Sequence, residues 1–298
     1  MDLWAVSLVP RSPWHVGESP GDVDTGAVFP PADTLYGALC HAWRALFGVE
    51  ALEGLLSVFQ GGAPPFRITS LFPEAEGVRH YPAPLAGVPM GTAHWLPEPV
   101  FTALARGEGT DMPSSSRDFF LRSQVAHAAI GREDRAATPY EVGVVSLRPG
   151  DSLFALVLAG EDVLGRLQGA FAYAAETGIG GQRSRGLGRF ERPVWTRVRL
   201  DVPAKAPHFV TLSPYMPSLA EYRRLSGVWR LRLRRGWISS PEGSGLLERA
   251  VRQCVEGSWF EEDGQEGILA EVTPPSFRHH PVFRYGLAFK VPWLGVGG

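Results

Sequence analysis

Cysteine is scarce in this chain of 298 residues, in which only Cys40 and Cys254 occur. The two lie far apart and neither is part of a Cys-x-x-Cys pattern, so the sequence predicts neither a disulfide framework nor a zinc finger. Long apolar runs are also missing: no stretch approaches the roughly 18 residues of a membrane span, and the first ten residues do not form a signal peptide. We therefore expect a soluble, cytoplasmic protein without a metal, a cofactor or a membrane partner.

Lysine is as rare as cysteine, since Lys205 and Lys290 stand against 27 arginines. The net charge is only −2, but residues 183–235 contain thirteen basic and three acidic residues, so this segment carries +10 and the rest of the chain −12. A GC-rich genome explains arginine in place of lysine, but it does not explain the clustering. Because guanidinium groups bind phosphate in a bidentate manner and stack on bases, the segment indicates a polyanionic partner.

Glycine and proline are abundant, at 35 and 26 residues, which makes an all-helical bundle a poor fit. Apolar residues make up 44% and charged residues 20% of the chain, a composition typical of a folded globular protein. The length predicts two domains, each with its own core. Pro203 and Pro207 mark a linker, so we expect domains at residues 1–203 and 204–298.

Apolar periodicity in the first domain predicts the order β-α-β-β-α-β. Asp33 is expected to cap the first helix and Gly48 to end it. The predicted strands are 3–9, 66–72, 153–159 and 194–200, and the predicted helices are 33–48 and 161–178. This order is that of the ferredoxin-like fold, an antiparallel sheet with two helices on one face, and it predicts an α+β protein.

An insertion at about residues 75–148 separates the second predicted strand from the third. It contains a predicted hairpin, in which strands 121–130 and 139–147 flank a polar tip that includes Arg132. In the second domain we predict strands near 208–212, 228–235, 267–272 and 282–291, and a short helix near 246–254.

The segment from Gly178 to Phe190 is the most informative motif, because five of its first eleven residues are glycine. A Walker A loop is excluded by the absence of lysine, and a Rossmann fingerprint is excluded because this loop follows a helix and precedes a strand. Glycines let the backbone approach a ligand closely, so successive N–H groups can converge on a phosphate beside Arg183, Arg185 and Arg189. A flexible connector is the alternative interpretation.

Aromatic and basic residues elsewhere add weaker candidates. Trp14 and His15, in the loop after the first strand, are candidates to contact a base, although loop aromatics more often pack against the protein. Between residues 229 and 234, Arg230, Arg232 and Arg234 alternate with Trp229 and two leucines. This alternation predicts either an RNA-facing strand or a solvated or subunit-facing one.

Three segments resemble one family. The loop GIGGQRSRGLGRFE (178–191), after a helix of a ferredoxin-like unit, resembles the signature of the RAMP superfamily of CRISPR-associated proteins. The segment FPPADTLYGALCHAW (29–43) is similar to the start of the first helix in the Csm-complex branch, the Cas5-like group that caps the 5′ end of the guide RNA. The segment HPVFRYGLAFKVP (280–292) resembles the closing strand of that branch.

The resemblance implies two ferredoxin-like (RRM-like) domains, with an inserted β-hairpin thumb near residues 122–145 of the first. It also implies binding of the repeat-derived 5′ tag of crRNA, and contacts with the large polymerase-like subunit and with a RAMP backbone subunit in antiviral defence. The expected RNA-binding residues are Gly180, Gly181, Gln182, Arg183, Ser184, Arg185, Gly186, Arg189, Arg122, Arg132, Trp14 and His15.

Two other functions stay open at this point. One is a RAMP-type endoribonuclease that cleaves CRISPR repeats with His15 as general base. The other is a small-molecule regulatory domain of ferredoxin-like fold, which leaves the +10 segment unexplained. Because no convergent set of acids and bases is visible in the sequence, we predict a non-catalytic RNA-binding subunit.

Overall fold

A computed structural model of the protein describes residues 1–17, 27–87, 94–109, 113, 117–130 and 137–295. The described part of the first half contains nine strands: β1 (Asp2–Leu8), β2 (Phe66–Ile68), β3 (Phe72–Ala75), β4 (Val78–Pro82), β5 (Trp95–Pro97), β6 (Phe120–Ile130), β7 (Ala137–Leu147), β8 (Ser152–Ala159) and β9 (Val194–Arg199). Its helices are α1 (Ala32–Phe47), α2 (Val49–Gln60), α3 (Glu98–Ala105) and α4 (Glu161–Thr177). The mixed α/β class and the mostly antiparallel pairing agree with the prediction.

The first sheet has the strand order β5-β4-β3-β8-β1-β9, and β2 also pairs with β8. Strand β1 runs antiparallel to both neighbours, with Trp4 opposite Val157 on one side and Arg197 on the other. The predicted second strand is divided into β2 and β3, which both pair with β8. The four strands of the predicted β-α-β-β-α-β unit therefore lie in the spatial order fourth, first, third, second.

Both faces of the central strands β1 and β8 are buried, as the continuous apolar run of β8 requires. On one face, Val6 and Ala155 pack in a core with Phe171 of α4. On the other face, Phe154 and Leu156 form a second core with residues of the second half, among them Val210 and Phe289. The face that an RRM uses for RNA is thus covered by the protein itself, and a ligand must approach elsewhere.

Helix α1 ends as predicted but begins differently. Gly48, at φ +88°, follows its last residue and donates its N–H to the Arg44 carbonyl at 3.0 Å. The N-cap is Pro31, however, and the N–H of Ala32 in the first turn donates to the side chain of Ser70 at 2.8 Å. Asp33 is buried inside that turn instead, where it pairs with arginines of the second half. The prediction that Asp33 caps the helix is wrong, because two distant guanidinium groups bind its carboxylate.

The segment between β3 and β8 contains β4, β5, α3 and a long antiparallel hairpin. In this hairpin β6 pairs with β7 over eleven residue pairs, from Phe120 opposite Leu147 to Ile130 opposite Ala137. The pairing confirms the predicted hairpin. Arg132 lies outside the described residues.

The second half is built almost entirely of strands. They are β10 (His208–Thr211), β11 (Gly227–Val228), β12 (Leu231–Arg234), β13 (Trp237–Ser240), β14 (Gly243–Leu247), β15 (Val251–Cys254), β16 (Trp259–Glu261), β17 (Gly267–Glu271), β18 (Phe283–Leu287) and β19 (Lys290–Trp293). The helix predicted near 246–254 is wrong, because that segment forms β14 and β15, which pair with β13 and β12.

Within the described part of the second half, α5 (Leu219–Tyr222) is the single helix, and it has four residues. It is too short to form the helical layer of a second ferredoxin-like unit, so this half differs from the expected arrangement. The sheet β11-β16-β10-β19 is covered by the first sheet rather than by helices of its own. No helix in the described ranges is long and apolar enough to cross a membrane.

Candidate nucleic-acid interface

A cleft of about 930 Å³ separates the helical side of the first half from the second half. The first half contributes His15, the exposed side of α1 and the glycine-rich loop from Gly180 to Ser184. The second half contributes residues 234–241 and 280–284. The cleft therefore depends on both halves and brings together segments more than 200 residues apart in sequence.

Positive φ angles shape the glycine-rich loop. Gly180 has φ +105°, and a Cβ atom there would lie 2.5 Å from the carbonyl oxygen of His15. Gly188 has φ +71°, and its Cβ would lie 2.1 Å from the carbonyl oxygen of Ile179. Larger residues at these two positions would require the backbone to move, so the loop needs glycine to fold against itself and against His15.

The backbone N–H groups of the loop fall into two sets. Gly181 donates to the His15 carbonyl at 2.7 Å and Gly186 donates to the Arg183 carbonyl at 2.9 Å, so these two donors are already used. Those of Gly180, Gln182, Arg183 and Ser184 donate to no acceptor within the described ranges. Four N–H groups are thus available to an anionic ligand at one wall of the cleft.

The arginines of the loop differ in their surroundings. Arg183 is half-buried, and its Nη2 atom donates to Ser239 Oγ across the cleft at 3.3 Å. Burial lowers the pKa of Arg183, although the side chain stays charged at neutral pH. Arg185 is exposed, and its guanidinium carbon lies over the ring of Tyr140 on β7, 5.4 Å from the ring centroid. Exposed Arg189 adds a third positive charge at the end of the loop.

His15 lies against this loop. Its Nδ1 atom is 2.8 Å from the carbonyl oxygen of Gly143, which accepts the proton on that nitrogen. In the neutral ring Nε2 is then an acceptor, and it has no hydrogen-bond partner within the described residues. His15 lines the cleft, and its predicted contact with RNA stays a prediction.

Trp14, in contrast, is completely buried. Its backbone pairs with that of Val145 in both directions, and its indole Nε1 donates to the Val28 carbonyl at 3.2 Å. The ring stacks on Phe190, with the ring centroids 6.4 Å apart. The prediction that Trp14 stacks on a base is wrong, because the ring is part of the core between the hairpin and the glycine-rich loop.

The hairpin strands carry one further predicted residue. Arg122 is exposed on β6, opposite Val145 of β7. The structure thus brings the glycine-rich loop and His15 together at the cleft and places Arg122 on the adjacent hairpin.

Strand β12 turns its leucines outward and its arginines inward, which is the reverse of the orientation expected for an RNA-facing strand. Leu231 and Leu233 are 53% and 52% exposed, whereas Arg234 is buried and Arg232 is largely covered. Arg234 donates through Nε to Asp33 at 3.1 Å and through Nη1 to the Gly17 carbonyl at 2.9 Å. Arg234 thus holds the second half against α1, while Arg232 pairs with Glu256 inside the second half, so neither is available to RNA.

A buried carboxylate makes this arrangement possible. Burial by itself would raise the pKa of Asp33, but the guanidinium groups of Arg234 and Arg284 outweigh it and hold that pKa well below its usual range. Arg284 in turn also pairs with Glu248. Sequence reasoning missed this cluster because its acids and bases are far apart in the chain.

His41 is a cleft residue to which the sequence analysis gave no role. Burial, together with the positive charges of Arg183 and Arg44, lowers the pKa of His41 to about 4. The imidazole is therefore neutral at pH 7 on the α1 side of the cleft. Nowhere in the described ranges do three His, Cys, Asp or Glu side chains come together as a metal site.

Comparisons with known proteins agree with this architecture. Residues 8–191 match the family model of the RAMP superfamily, and residues 204–293 match that of the CRISPR Csm4 C-terminal domain. The curated "CRISPR system Cms protein Csm4" of Thermococcus onnurineus (strain NA1) is 27% identical over 313 residues, covering 98% of this chain and 96% of that protein.

Solved structures share the fold along the whole chain. A chain in the crystal structure of a Csm1–Csm4 cassette in complex with cA4 has a TM-score of 0.68 at 21% identity, with 100% of both chains covered. A chain of a Csm3–Csm4 subcomplex from a type III-A CRISPR-Cas interference complex also has a TM-score of 0.68, at 13% identity, with 97% and 99% covered.

These matches confirm the resemblance that the sequence motifs predicted, including its Csm branch. The RAMP match spans more than half of the chain and includes the glycine-rich loop that forms one wall of the cleft. The chain therefore belongs to the RAMP superfamily.

Proposed function

We propose that this protein is the subunit of a type III CRISPR effector complex that binds the repeat-derived 5′ tag of crRNA without cleaving it. In this role it joins the large polymerase-like subunit to the RAMP backbone filament in antiviral defence. The Csm4 relatives support the proposal, because the related structures are complexes of Csm4 with Csm1 and with Csm3. The observation that carries it is the glycine-rich loop, with four available N–H donors and Arg183 at the wall of the cleft.

The covered sheet supports the same location for the RNA. Since the second half occupies the face opposite the helices, the tag cannot spread over the first sheet as it does in an RRM. It follows the loop instead, where N–H groups and Arg183 bind phosphates. Arg185 and Arg122 extend the positive surface from the loop onto the hairpin.

We also propose an assignment of the domains and of the hairpin. The first sheet with α1 and α4 is the ferredoxin-like unit, and the hairpin of β6 and β7 is its thumb. The boundary at residues 203 and 204 is supported by the two family matches, which end at 191 and begin at 204. The two domains nevertheless share two of the three hydrophobic cores of the described residues, so we expect them to fold as one unit.

A repeat endoribonuclease is the second candidate, favoured by one observation: the free Nε2 of His15 at the cleft. General acid–base cleavage also needs a group that protonates the leaving oxygen. Neutral His41 is a poor acid at pH 7, because its pKa is about 4. Incubation with labelled repeat RNA and no metal decides between the two functions, since cleavage that disappears in His15→Ala contradicts the non-catalytic proposal.

The binding proposal is tested by replacing Arg183 and Arg185 together with alanine. If each contacts one phosphate of a single strand, the slope of log K against log salt falls by about 0.7 per contact, or about 1.4 in all. The measurement is the affinity for tag RNA, taken from the CRISPR array of the same genome, at several salt concentrations.

The matched control replaces Arg197 and Arg199, two exposed arginines on β9, and changes the net charge equally. We expect the control to keep the wild-type affinity and slope within error. Equal slopes for the wild type and the loop variant would show that the loop is only a connector.

A further inference from the structure

The outward face of β12 is apolar, although the strand lies at the surface. Leu231 and Leu233 alternate with arginines along β12 and therefore share a face, and Trp229, which is 37% exposed, precedes the strand. The strand is reversed relative to the usual half-buried strand, which turns its apolar side chains to the core. The core side is already filled by Arg232 and Arg234, which pair with Glu256 and Asp33.

An arginine without a carboxylate partner lies on the same face. Arg252 is directly opposite Leu233 in the β12–β15 ladder, and directly opposite residues of an antiparallel pair point to the same side. Arg252 is exposed and forms no ion pair within the ranges that the structure describes. The face thus has an apolar centre and a positive charge at its rim.

We infer that the outward face of β12 is a docking surface for a protein partner whose own surface is apolar at its centre and rich in carboxylates at its rim. Protein interfaces have this composition, with an apolar core and a polar rim, and Trp and Arg contribute a large share of their binding energy. The positive rim determines the sign of the partner's charge.

The observations favour a protein over RNA as the occupant. The centre of the face consists of leucines, which offer neither a ring for base stacking nor a hydrogen-bonding group. The ring of Trp229 already stacks on Phe260, with centroids 5.8 Å apart, so only its outer side is open. The guanidinium groups of Arg232 and Arg234, which are suited to phosphate, instead pair with the buried carboxylates of Glu256 and Asp33.

The experiment rests on the proposed function for its probes, which are the purified large subunit and the purified RAMP backbone subunit from the same operon. The test variant carries Leu231→Asp and Leu233→Asp in the full chain. It removes apolar contact and places negative charge opposite an acidic rim, so the affinity for one of the two subunits should fall at least about 100-fold. Arg252→Glu should weaken the same complex about tenfold, more strongly at low salt.

The matched control carries Val49→Asp and Val58→Asp on α2, where the side chains are 47% and 45% exposed. It makes the same change in charge at similar exposure and should bind both subunits as the wild type does. Circular dichroism and an affinity for tag RNA within twofold of the wild type confirm that each variant is folded.

The outcomes separate this inference from the proposed function. Wild-type affinity of the Leu231/Leu233 variant for both subunits overturns the docking surface and leaves tag binding standing. A fall in RNA affinity with unchanged subunit binding also overturns it, because the face then contacts nucleic acid. If neither subunit binds even the wild-type chain, the proposed partners and the docking surface both fail.

Discussion

Strands β9 and β12 both alternate arginines with apolar residues, but the arginines of β9 face solvent whereas those of β12 face the core. In β9, Arg197 is exposed and pairs with Glu161, and the two side chains are 67% and 76% exposed. In β12, Arg234 and Asp33 form an ion pair in which the side chains are 4% and 0% exposed. The position of acidic partners elsewhere in the chain therefore decides which side of an arginine strand faces the core.

The difference has a simple energetic basis. A buried guanidinium group without a partner loses its hydration at a cost of several kcal/mol, so burial requires carboxylates in the right place. Asp33, Glu248 and Glu256 provide them for the second half. No such buried acid pairs with Arg197 or Arg199 among the described residues, and both remain in water.

The largest effect is expected from Arg234→Met. This substitution leaves Asp33 with one guanidinium partner fewer and also removes hydrogen bonds to Gly17 and Thr34. We expect the free energy of unfolding to fall by about 3–5 kcal/mol, as for other broken buried ion pairs. Urea unfolding at pH 7 measures it, and a loss below about 1 kcal/mol would show that the inward arginines are not what holds β12.

An intermediate effect is expected from His41, which extends the comparison to a half-buried base that has no carboxylate partner among the described residues. Its folded pKa of about 4 lies below the value of about 6.5 expected in the unfolded chain, so between these pH values the unfolded state binds more protons. Stability is therefore complete above about pH 6.5 and falls as the pH drops toward 4, by about 2 kcal/mol after allowance for partial exposure.

Urea unfolding at pH 7.5, 6 and 5 measures this dependence in the wild type and in His41→Gln. Because His41→Gln cannot take up a proton, the variant should lose less stability than the wild type over the same range. Parallel pH curves for the two proteins would show that His41 is not protonated on unfolding.

The smallest effect is expected from Arg197→Met on β9. The pair with Glu161 is exposed on both sides, so its removal should change the free energy of unfolding by no more than about 0.5 kcal/mol. The same urea unfolding experiment measures it. A loss as large as that of Arg234→Met would remove the distinction between the two strands.

Much of the first half was predictable from local patterns. The apolar periodicity of β1, α1, β8, α4 and β9 gave the element types and their order, because each element has one or two faces that must be buried. The second half was less predictable. Its 243–254 segment forms two short strands because β12 and β13 offer edges for pairing, and no local pattern contains that information.

The candidate site, like the fold, was predictable from the sequence only in part. The glycine-rich loop could be located from sequence, since positive φ and close packing leave few alternatives to glycine, and it lines the cleft with His15. That these residues bind RNA stays a prediction. Trp14 was misplaced because a loop aromatic is buried or exposed according to what packs over it, here Phe120 and Phe190. His41 received no role because its low pKa arises from burial and from arginines that the fold brings near.

The sequence by itself determined the superfamily, the α+β class and the loop with its arginines, because these depend on residue type, spacing and backbone conformation within single segments. Only the tertiary structure decided which arginines are free to bind a ligand. Burial and ion pairing depend on distances between groups as far apart in sequence as Asp33 and Arg284, and folding alone sets those distances.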